Sequence, residues 1–134
     1  MPYKMSWLVE KRILYTQMSG LVTSEEIRSQ NREMEEYAQH SELLLHTITD
    51  DTYSTGFDMK LRDLQKTQFV DIHNLGWAIC VSPSKMNRFF ASVITQLSQK
   101  RGRQFSTLEE AVSFLQEMDD TLPPIPMPIK ANSA

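Results

Sequence analysis

The chain of 134 residues holds a single cysteine, Cys80, so no internal disulfide can form. That suits a reducing compartment. Only four glycines are present, and none sits in a G-x-S-x-G, P-loop or G-x-G-x-x-G pattern. Nucleophile elbows and glycine-rich phosphate cradles are therefore excluded. No apolar run approaches the ~20 residues that span a bilayer, and Met1 to Arg12 lacks the apolar core and cleavage signature of a secretory leader. A charge excess is missing as well. The formal net charge is -3, and the one tight basic group is Lys100, Arg101 and Arg103, whereas nucleic-acid binders show a clustered basic excess. These absences lead us to expect a cytoplasmic protein with no membrane span, no nucleic-acid partner and no resident cofactor.

What is present is ordinary globular material, with 40% hydrophobic and 23% charged residues. A chain of this length buries roughly 68% of its unfolded surface, which is enough for a core without disulfides or metal. Met5 to Val9 and Arg12 to Met18 are two short apolar segments around Glu10-Lys11, the pattern of a hairpin without the favoured glycine. Ser19-Gly20 is expected to break the second strand. Thr23 and Glu26 form a capping box for a helix to about His40, with a thin apolar stripe of Ile27, Met34, Tyr37 and Ala38.

Leu43 to Thr49 reads as a third strand, and Asp50 to Phe57 as a polar loop. Asp58 is placed to cap a second helix carrying Leu61, Leu64, Phe69 and Ile72. Trp77 to Val81 is continuously apolar, as in a strand buried on both faces. Met86, Phe89, Phe90, Val93, Ile94 and Leu97 follow at helical spacing, with Gly102 expected to end that helix. Arg103 to Phe105 is a last short strand. Ser106 and Thr107 then precede Glu109 and Glu110, another capping pattern, and Leu108, Ala111, Val112, Leu115 and Met118 make the final apolar face. Four prolines between 123 and 128 forbid helix beyond that point.

The expected order is strand, strand, helix, then three strand–helix units. It predicts an α/β domain over 1–120, with one open, mostly parallel sheet of about five strands, right-handed crossovers and four covering helices. A proline-rich tail occupies 121–134. Its Leu122, Ile125, Met127 and Ile129 suggest docking in a hydrophobic groove, on the same domain or across a homodimer.

This order, together with "GLVTSEEIRSQN", "NLGWAICVSP", "NRFFASVITQL" and "FSTLEEAVSFL", resembles SpoIIAA-like, or STAS-like, domains over residues 3–119. The last two segments look like the sheet-covering helices of small stand-alone bacterial members. The resemblance implies a SpoIIAA-like fold and a regulatory role. Anti-sigma-factor antagonists of that family carry a phosphoacceptor serine after the central strand, in a pattern close to D-x-S followed by D-S-S-G. The matching stretch here is "TITDDTYSTGFD". Ser54-Thr55-Gly56 stands where the serine and glycine stand, which marks Ser54 and Thr55 as phosphoacceptor candidates. Tyr53 replaces the acidic residue, and the spacing from Asp50 is short.

Other candidate chemistry is sparse. Asp50 and Asp51 are adjacent carboxylates that point to opposite faces of a strand. They read as loop caps or as a Mg²⁺ or general-base site. Ser82, Ser84 and Lys85 lead into a helix N-terminus, which reads as an ordinary cap or an anion site aided by Arg88. His40, His46 and His73 have no metal-ligand spacing, and Cys80 in an apolar strand is expected to be inert. Two functional readings follow. One is a non-catalytic regulatory or protein-interaction module, phospho-responsive at the loop after the third strand. The other is a small carrier or sensor binding an apolar or anionic ligand between sheet and helices. Either would use Asp50, Asp51, Ser54, Thr55, Ser82, Ser84 and Lys85.

Overall fold

The computed structural model describes residues 3–58, 74–98 and 101–126. Five strands form one sheet in the order β1 (Tyr3–Val9), β2 (Ile13–Thr23), β3 (Leu45–Asp58), β4 (Leu75–Val81), β5 (Arg101–Phe105). β1 is antiparallel to β2, and every later pair is parallel. Among the described residues there are three helices: α1 (Ser24–Ala38), α2 (Lys85–Ser98) and α3 (Leu108–Met118). The expected helix after Asp58 falls in 59–73, outside the described residues.

The hairpin turns without a glycine because Lys11 itself takes a left-handed φ of 63°, a conformation uncommon for side-chain-bearing residues. Its carbonyl accepts the Ser41 hydroxyl, which ties the turn to the segment after α1. Both threonine caps are present. Thr23 caps α1 by accepting the Glu26 N–H, and Thr107 caps α3 by accepting the Glu110 N–H.

Alternation along the strands sends side chains to two layers. On one face Leu14, Met18, Val22, Tyr3 and Leu45 are buried, with Ile27, Met34 and Tyr37 of α1 packed against them. Phe57 of the same face meets Phe90 of α2 at 5.7 Å, so α1 and α2 lie on one side. On the other face Ile13, Tyr15, Ile48, Ile79 and Val81 pack against Ala111, Phe114 and Leu115 of α3. Each fully buried aliphatic side chain there contributes roughly 1.5–3 kcal/mol.

Several expectations need correction. Asp50 to Phe57 is not a loop: β3 runs on to Asp58, paired with a β2 that continues through Ser19-Gly20 to Thr23. β4 stops at Val81, in register with Asp50, so more than half of β3 projects past it as a ribbon with β2. A strand whose faces are partly open carries polar residues readily, so polarity alone misled. At its start β3 begins at Leu45, leaving Leu43 and Leu44 exposed. β4 is not buried evenly on both faces, because Ile79 and Val81 are buried whereas Ala78 and Cys80 are half-buried. Gly102 does not end α2. It lies inside β5, where an added Cβ would come within 2.2 Å of Thr95 Cγ2, so its missing side chain lets α2 lie close on the sheet.

Leu115 is fully buried, as its spacing predicts; the Ile94 side chain lies outside the described residues. In the tail, Leu122 and Ile125 pack against the α3-side core, while Met127 and Ile129 fall outside the described residues.

Candidate functional site

Strand pairing puts the two predicted segments together. Asp50 is in register with Val81, so the residues after Asp50 and the Ser82–Ser84 turn meet at the carboxyl ends of the parallel strands. That end of an open α/β sheet is where ligand sites form.

The two aspartates part company, as strand geometry requires. Asp50 turns towards the α3 side. Its Oδ2 accepts the Tyr15 hydroxyl at 2.6 Å and its Oδ1 accepts the Thr52 N–H at 3.0 Å. Burial and the Asp50 carboxylate together push the Tyr15 phenol well above its ordinary range. Asp50 is therefore a satisfied structural acceptor. Asp51 turns to the α2 side and is 2% exposed, yet neither carboxylate oxygen completes a hydrogen bond. Burial raises its pKa above the usual carboxylate range. Ser82 draws it back, the neighbouring Asp50 adds to the rise, and Asn87 and Arg88 again favour the charge. The Ser54 hydroxyl is also buried without a partner, whereas Thr55 is exposed.

The α2 N-terminus is already engaged by its own chain. Ser82 Oγ accepts the Ser84 N–H at 3.2 Å, and Ser84 Oγ accepts the Asn87 N–H at 3.2 Å. Arg88 turns back and donates to the Ser82 carbonyl at 2.7 Å. Lys85 is exposed. With the Asp51 carboxylate beside this N-terminus, the negative charge that such an end favours is supplied from within. The arrangement works against an external anion there.

Large apolar side chains are exposed on both flanking elements. Met86 is 73% and Phe89 67% exposed on α2, and Leu21 and Tyr53 are exposed on the β2–β3 ribbon. Of the Phe89-Phe90 pair, one ring is therefore packed inside and the other faces outward. Cys80 lies half-buried in β4, and desolvation, with Asp51 and Asp50 nearby, pushes its thiol up to about 12. Among the described residues, no group of three or more His, Cys, Asp or Glu is placed to hold a metal ion, and no helix is long and apolar enough to cross a membrane.

At the opposite end of the sheet lies a polar cluster that spacing did not announce. Arg12, next to the hairpin turn, donates to Leu44 O at 3.1 Å, Asp119 Oδ2 at 2.9 Å and Thr121 Oγ1 at 2.8 Å. His46 Nε2 lies 2.8 Å from Asp119 Oδ2, and its Nδ1 accepts the Trp77 N–H at 3.0 Å. His40 is exposed at the end of α1, and His73 is outside the described residues. The partners of His46 and Arg12 lie 73 and 107 positions away, beyond any local pattern.

Solved structures that resemble the chain include two that bear on its fold. One is an uncharacterised protein of the DUF3478 family, with a SpoIIAA-like fold, from Shewanella loihica PV-4. It aligns with a TM-score of 0.57 and 12% identity over 84% of this chain and 91% of its own. The other is the anti-sigma factor antagonist SpoIIAA in its unphosphorylated form, with a TM-score of 0.53 and 13% identity over 86% of this chain and 96% of its own. No family model and no curated protein sequence matches. At these identities the likeness carries architecture, and the strand order, the single antiparallel pair and the flanking helices agree with it: the chain is a domain of SpoIIAA-like fold.

Proposed function

We propose that the chain is a non-catalytic regulatory module that docks a protein through the carboxyl ends of its parallel strands. The observation that carries this reading is the character of that end. Its buried carboxylates are turned inward, while large apolar side chains are exposed on both elements that form it, Met86 and Phe89 on α2 and Leu21 and Tyr53 on the β2–β3 ribbon. Exposed large apolar side chains suit a partner better than a reaction. The anti-sigma factor antagonist among the structural neighbours supports the same reading by analogy of fold alone.

A phospho-response, if built here, belongs to Thr55 before Ser54. Thr55 is exposed, whereas the Ser54 hydroxyl is buried within β3. A phosphoryl group on Thr55 adds close to two negative charges at neutral pH, beside an apolar contact surface. The carrier reading rests on one groove of about 420 Å³ between β5 and α3, with Phe105 and Phe114 as its floor and Glu109, Glu110 and Glu117 beside it.

Native mass spectrometry of the protein purified from its own host distinguishes these readings. A protein adduct that disappears in Phe89→Ser supports the docking surface, and a doubled mass lost in the same variant makes the partner a second copy. A phosphoryl mass absent in Thr55→Ala supports the switch. A retained small organic ligand with no protein adduct transfers the case to the carrier, and a bare, unmodified monomer contradicts both.

A further inference from the structure

The cluster at the amino ends of the parallel strands is a built device. His46 lies 1% exposed in β3. Its ring covers Gly76, where a Cβ would come within 2.5 Å of Nδ1, so only glycine admits the imidazole there. Nδ1 accepts a backbone N–H from β4, which fixes the neutral tautomer and leaves Nε2–H to donate to Asp119. Asp119 caps the end of α3 and begins the strap that follows. Its Oδ1 accepts the Thr121 N–H at 3.0 Å, and Arg12 donates to both Asp119 and Thr121. Beyond Thr121 the strap lays Leu122 and Ile125 on the core cluster that contains Val9, Ile13 and Leu115, while Pro123, Pro124 and Pro126 face outward.

We propose that His46 is a proton-operated pin: in its neutral form it locks the strap at 119–126 onto the core, and protonation at Nδ1 releases it. An imidazolium carries hydrogens on both nitrogens. The Nδ1–H would then meet the Trp77 N–H donor to donor, and with Gly76 directly beneath it the ring has to leave its seat. Among the described residues, the charged groups facing His46 are Asp119 from α3 and Arg12 from the hairpin turn; β4 offers it backbone only. Burial lowers the His46 pKa first, and Arg12 adds to that, against the opposing pull of Asp119. Burial also disfavours the Asp119 charge, but the Thr121 and His46 hydrogen bonds and Arg12 outweigh it and hold that carboxyl at about 2. Asp119 therefore stays charged through the range in which His46 titrates.

The sign follows from linkage. A histidine whose pKa is lower in the locked form than in the released form contributes stability that is complete above about 6.5 and is lost as pH falls. The coupling is reciprocal: whatever frees the strap must raise the His46 pKa.

The test is an NMR titration of the His46 Cε1–H resonance in the full chain, assigned by difference from His46→Gln, with strap amide exchange followed in parallel. In the wild type the midpoint should lie below 6.5, and the Thr121 and Leu122 amides should lose protection as His46 gains its proton. In Leu122→Ser/Ile125→Ser the midpoint should rise towards 6.5. His46→Gln should abolish the acid response of the strap between pH 7.5 and 5; if that variant does not fold, assignment through the Trp77 neighbourhood and the double variant decide the matter. An unchanged midpoint in the double variant, or strap amides indifferent to His46 protonation, overturns the proposal.

Discussion

The two ends of the sheet hold their buried carboxylates in opposite ways. At the amino ends of the parallel strands, Arg12, His46, Asp119 and Thr121 satisfy one another with hydrogen bonds of 2.8–3.0 Å. At the carboxyl ends, the buried Asp51 carboxylate completes no hydrogen bond although Ser82, Asn87 and Arg88 lie near it, the Ser54 hydroxyl is buried without a partner, and large apolar side chains stand in solvent. A buried polar group without a partner costs about 1–3 kcal/mol. The difference lies in the buried charges, since exposed apolar side chains occur at both ends, Leu43 and Leu44 at the amino one. One end pairs its carboxylate with Arg12 and His46, and the other leaves the Asp51 oxygens without a completed hydrogen bond.

Breaking the tight end should have the largest effect. Arg12→Met removes the donor shared by Leu44, Asp119 and Thr121 and leaves a mostly buried carboxylate underpaired. We expect a loss of about 3–5 kcal/mol in urea melts. A loss below about 1 kcal/mol would mean that the cluster is decorative. The open end should respond in the other direction. Asp51→Asn keeps the shape and removes a buried charge that completes no hydrogen bond, so a gain of about 1 kcal/mol at neutral pH is expected. A loss there would make Asp51 part of the scaffold and erase the contrast.

Acid sharpens the comparison. A carboxyl raised in the folded state, as at Asp51, costs stability above its folded pKa, and that cost is relieved as pH falls. His46, lowered in the folded state, does the reverse. Stability followed from neutral pH down through the carboxylate range should therefore fall more steeply in Asp51→Asn than in the wild type, because the compensating group is gone. Equal slopes would show that Asp51 does not titrate in that range. The smallest effect belongs to the surface. Phe89→Ser should change stability by less than about 0.5 kcal/mol while removing the partner contact proposed for it. A larger loss, read from thermal melts, would place the ring in the core.

Much of this architecture was legible from local pattern. Thr23 with Glu26 and Thr107 with Glu110 mark two helix starts because capping is a three-residue geometry. The stripe from Met86 to Val93 marks α2 because its period is that of a helix. The β2–β3 ribbon was not legible. Ser19-Gly20 and Asp50 to Gly56 look like breakers, and only the neighbouring strand, met in space, supplies the hydrogen bonds that keep them extended. The site was half legible for a related reason. That Asp50 and Asp51 diverge follows from strand alternation. That one is satisfied and the other is not depends on Tyr15 and on the α2 N-terminus, which no spacing reveals. Gly102 was open to misreading as a helix end for the same cause, and nothing local marks why Gly76 must be glycine. Their reason lies in His46 and Thr95, residues that approach them only in the fold.

Amide hydrogen exchange, resolved by residue under native conditions, tests the contrast between the two ends most directly. The account predicts that the amides of Leu45, His46 and Trp77, bonded to Asn74 O, Arg12 O and His46 Nδ1, exchange only through global unfolding at neutral pH. It predicts that the amides of Thr52 to Phe57 exchange through local opening of lower free energy, and that Asp51→Asn narrows the gap. Equal protection at both ends, or an amino end that opens first at neutral pH, would contradict it.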